Sequence, residues 1–334
     1  MSNTEMIYDE YFEILLRSFK ILMDPLSEVI RQSRPRSVFV GATDVGGDIA
    51  IRFAAHEGVY LYCVEYGECW LQVDGDTEAM CLGAGDCIVL PRGRPFLLAS
   101  DLDLPPIDAN VVFDGRSNGS IAAYNGGGRC MMFAAHFEFE TGFSRFLFSA
   151  LDTVVRVHNP EAKVALRQAI DQMIDELQSA QPGSEVVVDH LAHIVLVKIL
   201  RYHLSDFADT RSGWLYALVD SRMGLAIAAM HEAPSRRWTV ASLASLSAMS
   251  RTAFATRFKS TVGKAPMDYL SQLRMLMAAK RLAEPGARVS MVAQDLGYES
   301  ESAFSAAFKR VMGLPPRRYV QSTGNGESGR NTTG

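Results

Sequence analysis

The chain has 334 residues, 48% of them hydrophobic, enough for about two domains with ordinary cores, and nothing in that composition suggests disorder outside the last residues. Its net charge of −5 is uneven: residues 211–334 hold 17 Lys and Arg against 8 Asp and Glu, a net of +9, which leaves −14 on the first 210. No basic-then-apolar leader opens the chain, and the longest strongly apolar stretch, residues 191–200, is interrupted by His193 and Lys198, so a cytoplasmic protein is expected, neither secreted nor membrane-spanning.

Residues 5–23 carry Met6, Ile7, Phe12, Leu15, Leu16, Phe19, Ile21 and Leu22 at near-helical spacing, and Asp24-Pro25 then opens a second packing helix reaching about Gln32. From Val38 to about Phe139 the period changes to short β-branched and aromatic runs punctuated by Gly, Asp and Pro: residues 38–40, 49–53, 60–66, 69–73, 87–90 and 130–139. Gly67-Glu68 and Asp74-Gly75-Asp76 read as hairpin turns, and an antiparallel sandwich or barrel is the natural outcome. Residues 101–125, with Leu104-Pro105-Pro106, Asp114-Gly115 and Ser117-Asn118-Gly119, read as a long excursion, either a flap over a pocket or a decorative insertion.

Two helices follow, residues 161–180 and 186–204, separated by a turn at Pro182-Gly183. The second is apolar over most of its circumference, more than one small barrel can cover, so a homodimer interface through Leu191, Ile194, Val195 and Lys198 is expected. Residues 205–213 read as a linker and 214–231 as one helix at the edge of the basic module; the tail, 321–334, lacks any large apolar side chain and is expected to be disordered.

Within the basic module a pattern occurs twice. Laying residues 250–269 over 300–319 matches 8 of 20 positions, among them Ser250/Ser300, Phe254/Phe304, Phe258/Phe308, Lys259/Lys309, Gly263/Gly313 and Pro266/Pro316. Each copy spells a helix with two phenylalanines on one face, an N-capping serine and a C-capping glycine; an apolar-periodic segment and a short turn precede it. That is the helix-turn-helix pattern, and the local charge of +9 suits phosphate binding. With the phenylalanines inward, Thr252, Ala255, Thr256 and Lys259 face outward in one copy and Ser302, Ser305, Ala306 and Lys309 in the other. Ser250 and Arg251, with Ser300 and Glu301, complete the candidate DNA-binding set at the two helix starts.

Residues 238–320 resemble the DNA-binding domain of the AraC family of bacterial transcription regulators. The first half matches through Leu243-Ala244, Met249-Ser250-Arg251, Arg257-Phe258-Lys259, Gly263, Pro266 and Tyr269. The second matches through Val292-Ala293, Leu296-Gly297-Tyr298, Phe304-Ser305, Phe308-Lys309-Arg310, Gly313, Pro315-Pro316 and Tyr319. The resemblance implies two helix-turn-helix units joined by one long helix, here residues 267–284 stopped by Pro285-Gly286, with both recognition helices on one face of double-stranded DNA.

Gly85, Pro91, Gly93 and their spacing resemble the second cupin motif, in which a metal-binding His stands where this chain has Phe96. In the first motif Glu68 and Gly75 keep their spacing, but Tyr62 and Val64 stand at the histidine positions. Three of four ligand positions are therefore non-ligands, and neither a metal nor another cofactor is expected. Cys69-Trp70-Leu71, Gly83-Ala84-Gly85-Asp86 and Gly126-Gly127-Gly128 further resemble the sensor domain of one AraC-family subgroup over roughly residues 20–210. The resemblance implies a small-molecule effector. Tyr62, Val64, Glu68 and Phe96 become its candidate lining, which suits a ligand with an apolar or ring portion. An inward arginine among Arg52, Arg92 and Arg94 would add recognition of a carboxylate or phosphate.

His190 and His193 lack a third metal ligand nearby, and the five cysteines, all in the β region without Cys-x-x-Cys spacing, read as buried thiols. The expectation is a multidomain α and β protein: a cupin-like barrel with N-terminal helices (1–150), a helical dimerisation segment and linker (151–210), an all-α double helix-turn-helix domain (211–320) and a tail (321–334). It would be a ligand-responsive transcription regulator rather than an enzyme, and a partner of RNA polymerase if an activator. The alternatives are a cupin-type enzyme fused to a DNA-binding domain, or a regulator controlled by a partner protein.

Overall fold

A computed structural model describes residues 25–33, 35–113, 119–139, 148, 151–157, 159–179, 181–206, 213–218, 220–284 and 286–327. The helix expected over residues 5–23 and most of the expected linker lie outside this set. The chain forms two compact units, residues 33–210 and residues 211–334 with 1–32. The helix expected to open at Pro25 is present as α1 (Pro25–Ser33).

Among the described residues of the first unit eleven strands build two sheets: β1 (Arg36–Val45), β2 (Ala50–Phe53), β3 (Val59–Tyr66), β4 (Glu68–Val73), β5 (Met80–Gly83), β6 (Cys87–Leu90), β7 (Phe96–Ala99), β8 (Ile107–Asp108), β9 (Ile121–Tyr124), β10 (Cys130–Glu138) and β11 (Val155–Arg156). One sheet runs β11-β6-β3-β10-β1-β9 and the other β5-β4-β7-β2-β8; pairing is antiparallel except for β1 with β9 and β2 with β8. Residues from both sheets, including Ile51, Tyr62, Val64, Leu71, Ile88, Phe96, Leu98 and Met132, meet in one buried cluster, so the sheets face each other across a shared core. β4 shows why: its residues alternate exposed and buried throughout, the period of a strand with one face inward.

Two expectations change here. Gly67 is no hairpin turn, because β3 pairs with β10 and β6 while β4 pairs with β5 and β7. It carries the chain from one sheet to the other at a φ of 79°, and a Cβ there would collide with the carbonyl oxygen of Arg129. The excursion at 101–125 contains β8, β9 and a short helix, α2 (Ala109–Phe113), whose Val112 is buried.

Helices α3 (Pro160–Ser179) and α4 (Ser184–Asp206) follow β11 and pack on each other, with α4 lying against β1, β6 and β11. Asp86 pins this attachment. Its buried carboxylate accepts from the Gly83 N–H (2.9 Å), Lys163 of α3 (2.7 Å) and Arg156 of β11 (2.6 Å). Burial alone would raise its pKa, but these donors hold it below the ordinary carboxylate value.

The second unit is helical: a short 3₁₀ turn (Tyr216–Leu218), then α5 (Met223–Glu232), α6 (Val240–Leu246), α7 (Arg251–Val262), α8 (Pro266–Leu282), α9 (Val289–Asp295), α10 (Glu301–Met312) and α11 (Pro316–Glu327). The single helix expected at 214–231 is broken. Asp220 accepts from the N–H groups of Arg222 and Met223 to start α5 afresh, and Arg257 of α7 holds that carboxylate at 2.6 Å. Residues 321–327, expected to be disordered, continue α11, whose first turns pack Tyr319 and Val320 on the core and supply the nucleus that the polar residues extend. Residues 328–334 are not among those described.

The structural repeat is tighter than the sequence repeat. In the first helix-turn-helix copy Met249 N–H bonds the carbonyl of Ala244, and in the second copy Tyr298 N–H bonds that of Ala293; the capping serines are Ser250 and Ser300. The second turn therefore holds one residue more. At matching points Ala248 (φ 50°) and Gly297 (φ 78°) adopt the left-handed conformation. Ala pays for it with steric strain, whereas a Cβ on Gly297 would also strike the carbonyl of Ser235. Gly297→Ala should thus destabilise the protein by about 2–4 kcal/mol, while Ala248→Gly should be neutral or stabilising within about 1 kcal/mol. Urea unfolding of both variants checks this, and equal effects would refute it.

Candidate nucleic-acid interface and ligand cavity

Each recognition helix is fixed by the same three local devices. Ser250 accepts from the Ala253 N–H at 3.3 Å and Ser300 from the Ala303 N–H at 3.2 Å, which sets the starts of α7 and α10. Gly263 and Gly313, both at φ 82°, end them. Phe254, Phe258, Phe304 and Phe308 are fully buried and pack in tilted pairs, with centroids 5.5 and 5.7 Å apart; Tyr269 and Tyr319 meet Phe258 and Phe308 edge-on.

The opposite faces are open. Arg251, Thr252, Thr256 and Lys259 on α7, and Glu301, Ser302, Ala306 and Lys309 on α10, are exposed; Ala255 and Ser305 are half-buried. Arg251, Lys259 and Lys309 make no ion pair among the described residues, so their charges remain available to phosphate. Glu301 instead pairs with Arg317 at 3.4 Å, which removes the repulsion an unpaired carboxylate would exert on a phosphate.

A clasp not anticipated from the sequence joins the two helix-turn-helix units. Arg274, on the connecting helix α8, donates to the carbonyls of Pro234 (2.6 Å) and Arg236 (2.9 Å), and its guanidinium lies 5.7 Å from the ring of Tyr298 in the second turn. Arg237 pairs with Glu299 at 2.9 Å. The loop entering the first helix-turn-helix copy is thereby held against the turn of the second copy, within the same compact unit. Leu273-Arg274 and Tyr298 both belong to the family resemblance, but nothing local in the sequence pairs them, since they lie 24 residues apart.

In the first unit a cavity of about 200 Å³ lies between the sheets, lined by Phe39, Thr43, Val45, Ile51, Phe53, Tyr60, Tyr62, Leu98, Ala109, Asn110, Phe113, Met132 and Ala134. Of the four sequence candidates only Tyr62 lines it. Val64 is buried in the core, and Phe96 stacks on Phe53 at 4.4 Å as part of the wall behind. Glu68 is exposed and borders a second space of about 30 Å³, room for about one water. Ala109, Asn110 and Phe113 come from α2, so the excursion contributes to the lining. No arginine does: Arg52 pairs with Asp74, Arg94 with Asp76, and Arg92 donates to the carbonyl of Leu151.

Among the described residues no group of three or more His, Cys, Asp or Glu could hold a metal ion. His190 and His193 each engage the carbonyl four residues back, those of Val186 and Asp189. No helix of the described residues is long and apolar enough to cross a membrane.

Residues 24–205 match the cupin family and residues 243–322 a helix-turn-helix domain family. A putative AraC-like transcription regulator of Streptomyces lividans is 39% identical over 299 residues, 89% of this chain and 98% of that protein. The chain belongs to the AraC family of transcriptional regulators. AlkR of Acinetobacter baylyi, an HTH-type transcriptional regulator, is 30% identical over 90% of this chain and 100% of its own. Among solved structures, ToxT of Vibrio cholerae bound to an unsaturated fatty acid is 13% identical, with a TM-score of 0.33 over 86% of this chain and 94% of that one. As an AraC-family regulator the chain binds DNA through the helix-turn-helix units described above.

That scaffold carries a pH dependence. His231 of α5 is buried, bonds the hydroxyl of Tyr269 of α8 at 2.7 Å and stacks on Trp214; burial lowers its pKa from 6.5 to about 4. The native ring stays neutral while the unfolded one protonates, so its contribution is intact above pH 6.5 and is lost between about 6.5 and 4. Between pH 7 and 4.5 the wild type should lose about 2–3 kcal/mol more than His231→Gln in urea unfolding followed by tryptophan fluorescence. Equal losses would place the dependence elsewhere.

Proposed function

We propose that the chain is a homodimeric regulator whose α7 and α10 enter successive major grooves and whose cavity receives a small-molecule effector. The observation that carries the DNA reading is the pair of capped, phenylalanine-anchored helices presenting short hydroxyl side chains beside unpaired cations. In this reading Thr252, Thr256, Ser302 and Ser305 meet base edges, Ala255 and Ala306 meet thymine methyl groups, and Arg251, Lys259 and Lys309 meet phosphates. Ser250 and Ser300 act as caps that orient these helices, and Glu301 acts through its pair with Arg317. The effector would act by favouring one arrangement of the chain over another, and the promoter-bound regulator would contact RNA polymerase if it activates.

Support for the dimer is narrower than the apolar composition of α4 suggests. Val195 is fully buried in the chain's own core, and Lys198 reaches the carbonyl of Ala165 on α3, so neither offers a free face. What remains is a stripe with Val187 and Ile194 exposed and Leu191 half-buried between them.

Footprinting on the operator should show two protected grooves per subunit, roughly 34 Å apart. Lys259→Ala or Lys309→Ala should weaken all sequences and flatten the salt slope by about one, while Thr252→Ala or Thr256→Ala should change base preference. Protection of only one groove per subunit would overturn the two-unit reading. Replacing Leu191 and Ile194 together by Glu should yield a monomer in sedimentation, because charge in a desolvated contact costs several kcal/mol. Unchanged association would move the interface off α4.

A further inference from the structure

The cavity between the sheets has a chemical preference that its lining reveals. Tyr60 and Tyr62 stand two apart on β3, so both rings project from one face of the sheet, and they lie parallel with centroids 5.8 Å apart. Tyr62 is only 4% exposed, yet its hydroxyl has no hydrogen-bond partner among the described residues, and neither has that of Tyr60. A buried tyrosine normally finds a partner for its hydroxyl. Here the hydroxyl-bearing rings line a space walled mainly by apolar side chains such as Phe53, Leu98 and Met132, with Thr43 and Asn110 as its further polar but uncharged groups, so both phenols are available to a molecule bound there.

Charge is missing from the same space. None of the lining residues is ionic at neutral pH, the arginines nearby in sequence are all engaged elsewhere, and burial holds both phenols protonated. His56, whose ring packs edge-on against Tyr60 at 4.4 Å, is kept neutral because burial lowers its pKa to about 4. A carboxylate or phosphate would enter this space without a counter-charge, which is strongly unfavourable. A phenol kept protonated is a donor, so the complementary group is a neutral acceptor. Size narrows the class further, since an apolar cavity of about 150 Å³ accepts benzene, and this one is about 200 Å³.

We propose that the cavity binds an uncharged single-ring compound bearing a carbonyl or ether oxygen, which accepts a hydrogen bond from Tyr62 while the ring packs on Phe53, Leu98 and Met132. This rests on the reading of the cavity as the effector site and replaces the anionic ligand that an inward arginine would have implied.

Three probes of similar size separate the possibilities in calorimetric titration of the full chain: acetophenone, ethylbenzene and benzoate. Acetophenone should bind best, ethylbenzene more weakly and benzoate not measurably. Tyr62→Phe, which keeps the ring, should weaken acetophenone roughly 3- to 10-fold, the worth of one hydrogen bond, and leave ethylbenzene unchanged. Unchanged ethylbenzene binding also shows that the variant keeps its cavity. Equal affinity for acetophenone and ethylbenzene, insensitive to Tyr62→Phe, would overturn the role of the phenol while leaving the cavity a ligand site. Preference for benzoate would overturn the neutral class. Binding of none of the three would overturn the cavity as effector site altogether, a result independent of the footprint that tests DNA recognition.

Discussion

A helix that reads DNA must keep one face bare and polar, so it cannot be held by the residues that do the reading. In this chain that constraint is met by two phenylalanines four residues apart on the opposite face of each recognition helix, all four of them fully buried. Each aromatic pair then meets a tyrosine from the helix that follows, Tyr269 or Tyr319, so the anchor of a recognition helix is also the start of its connection onward. Hydrophobic burial is non-directional, and the direction comes from the ends: a serine side chain fixes the first turn and a left-handed glycine the last. The exposed faces are left with short hydroxyls and unpaired cations because nothing structural depends on them.

The β unit answers a different constraint. Replacing metal-ligand positions by Tyr62, Val64 and Phe96 does not leave the same kind of hole at each position. Phe96 is consumed by stacking on Phe53, and Val64 by the core, while Tyr62 alone keeps a polar atom facing the cavity. Where the cupin motifs would place imidazoles and a cation, this chain has a mostly apolar, uncharged space with phenolic donors, and α2 supplies part of its wall. The buried Asp86, satisfied by Gly83, Arg156 and Lys163, ties the turn beside this box to the helical hairpin. Each of its three donors offsets the cost of burying that charge.

What was legible in the sequence is what depends on neighbouring residues. The capping serines, the glycine stops and the inward phenylalanines follow from spacings of three, four and thirteen residues, and all appear where that spacing puts them. What was illegible depends on distant ones. The break before α5 is set by Asp220, whose carboxylate is held by Arg257, 37 residues on. Gly67 announces a tight turn, but a left-handed glycine looks the same whether the flanking strands pair with each other or part to different sheets. The arginines near the cupin-like motif looked available for a ligand only because their acidic partners, Asp74 and Asp76, belong to a turn on another strand. The stripe on α4 was broad in sequence and narrow in the fold, since α3 and the six-stranded sheet cover most of it.

The clasp at Arg274 bears on why two units are used rather than one. Two weakly held helices could each find a groove, but every degree of freedom between them would be lost on binding and subtracted from the affinity. Here α8 alone would leave the second turn free to rock about the helix end. Arg274 closes that freedom by binding the loop ahead of the first unit through two carbonyls and facing Tyr298 of the second, and Gly297 allows the approach because it has no Cβ to strike Ser235. Burial lowers the pKa of Arg274, yet a guanidinium remains charged at any physiological pH, so the contact is not a pH switch. The two reading faces are thus positioned relative to each other by contacts within the helix-turn-helix domain that do not require DNA, through Arg274 and the Arg237–Glu299 pair.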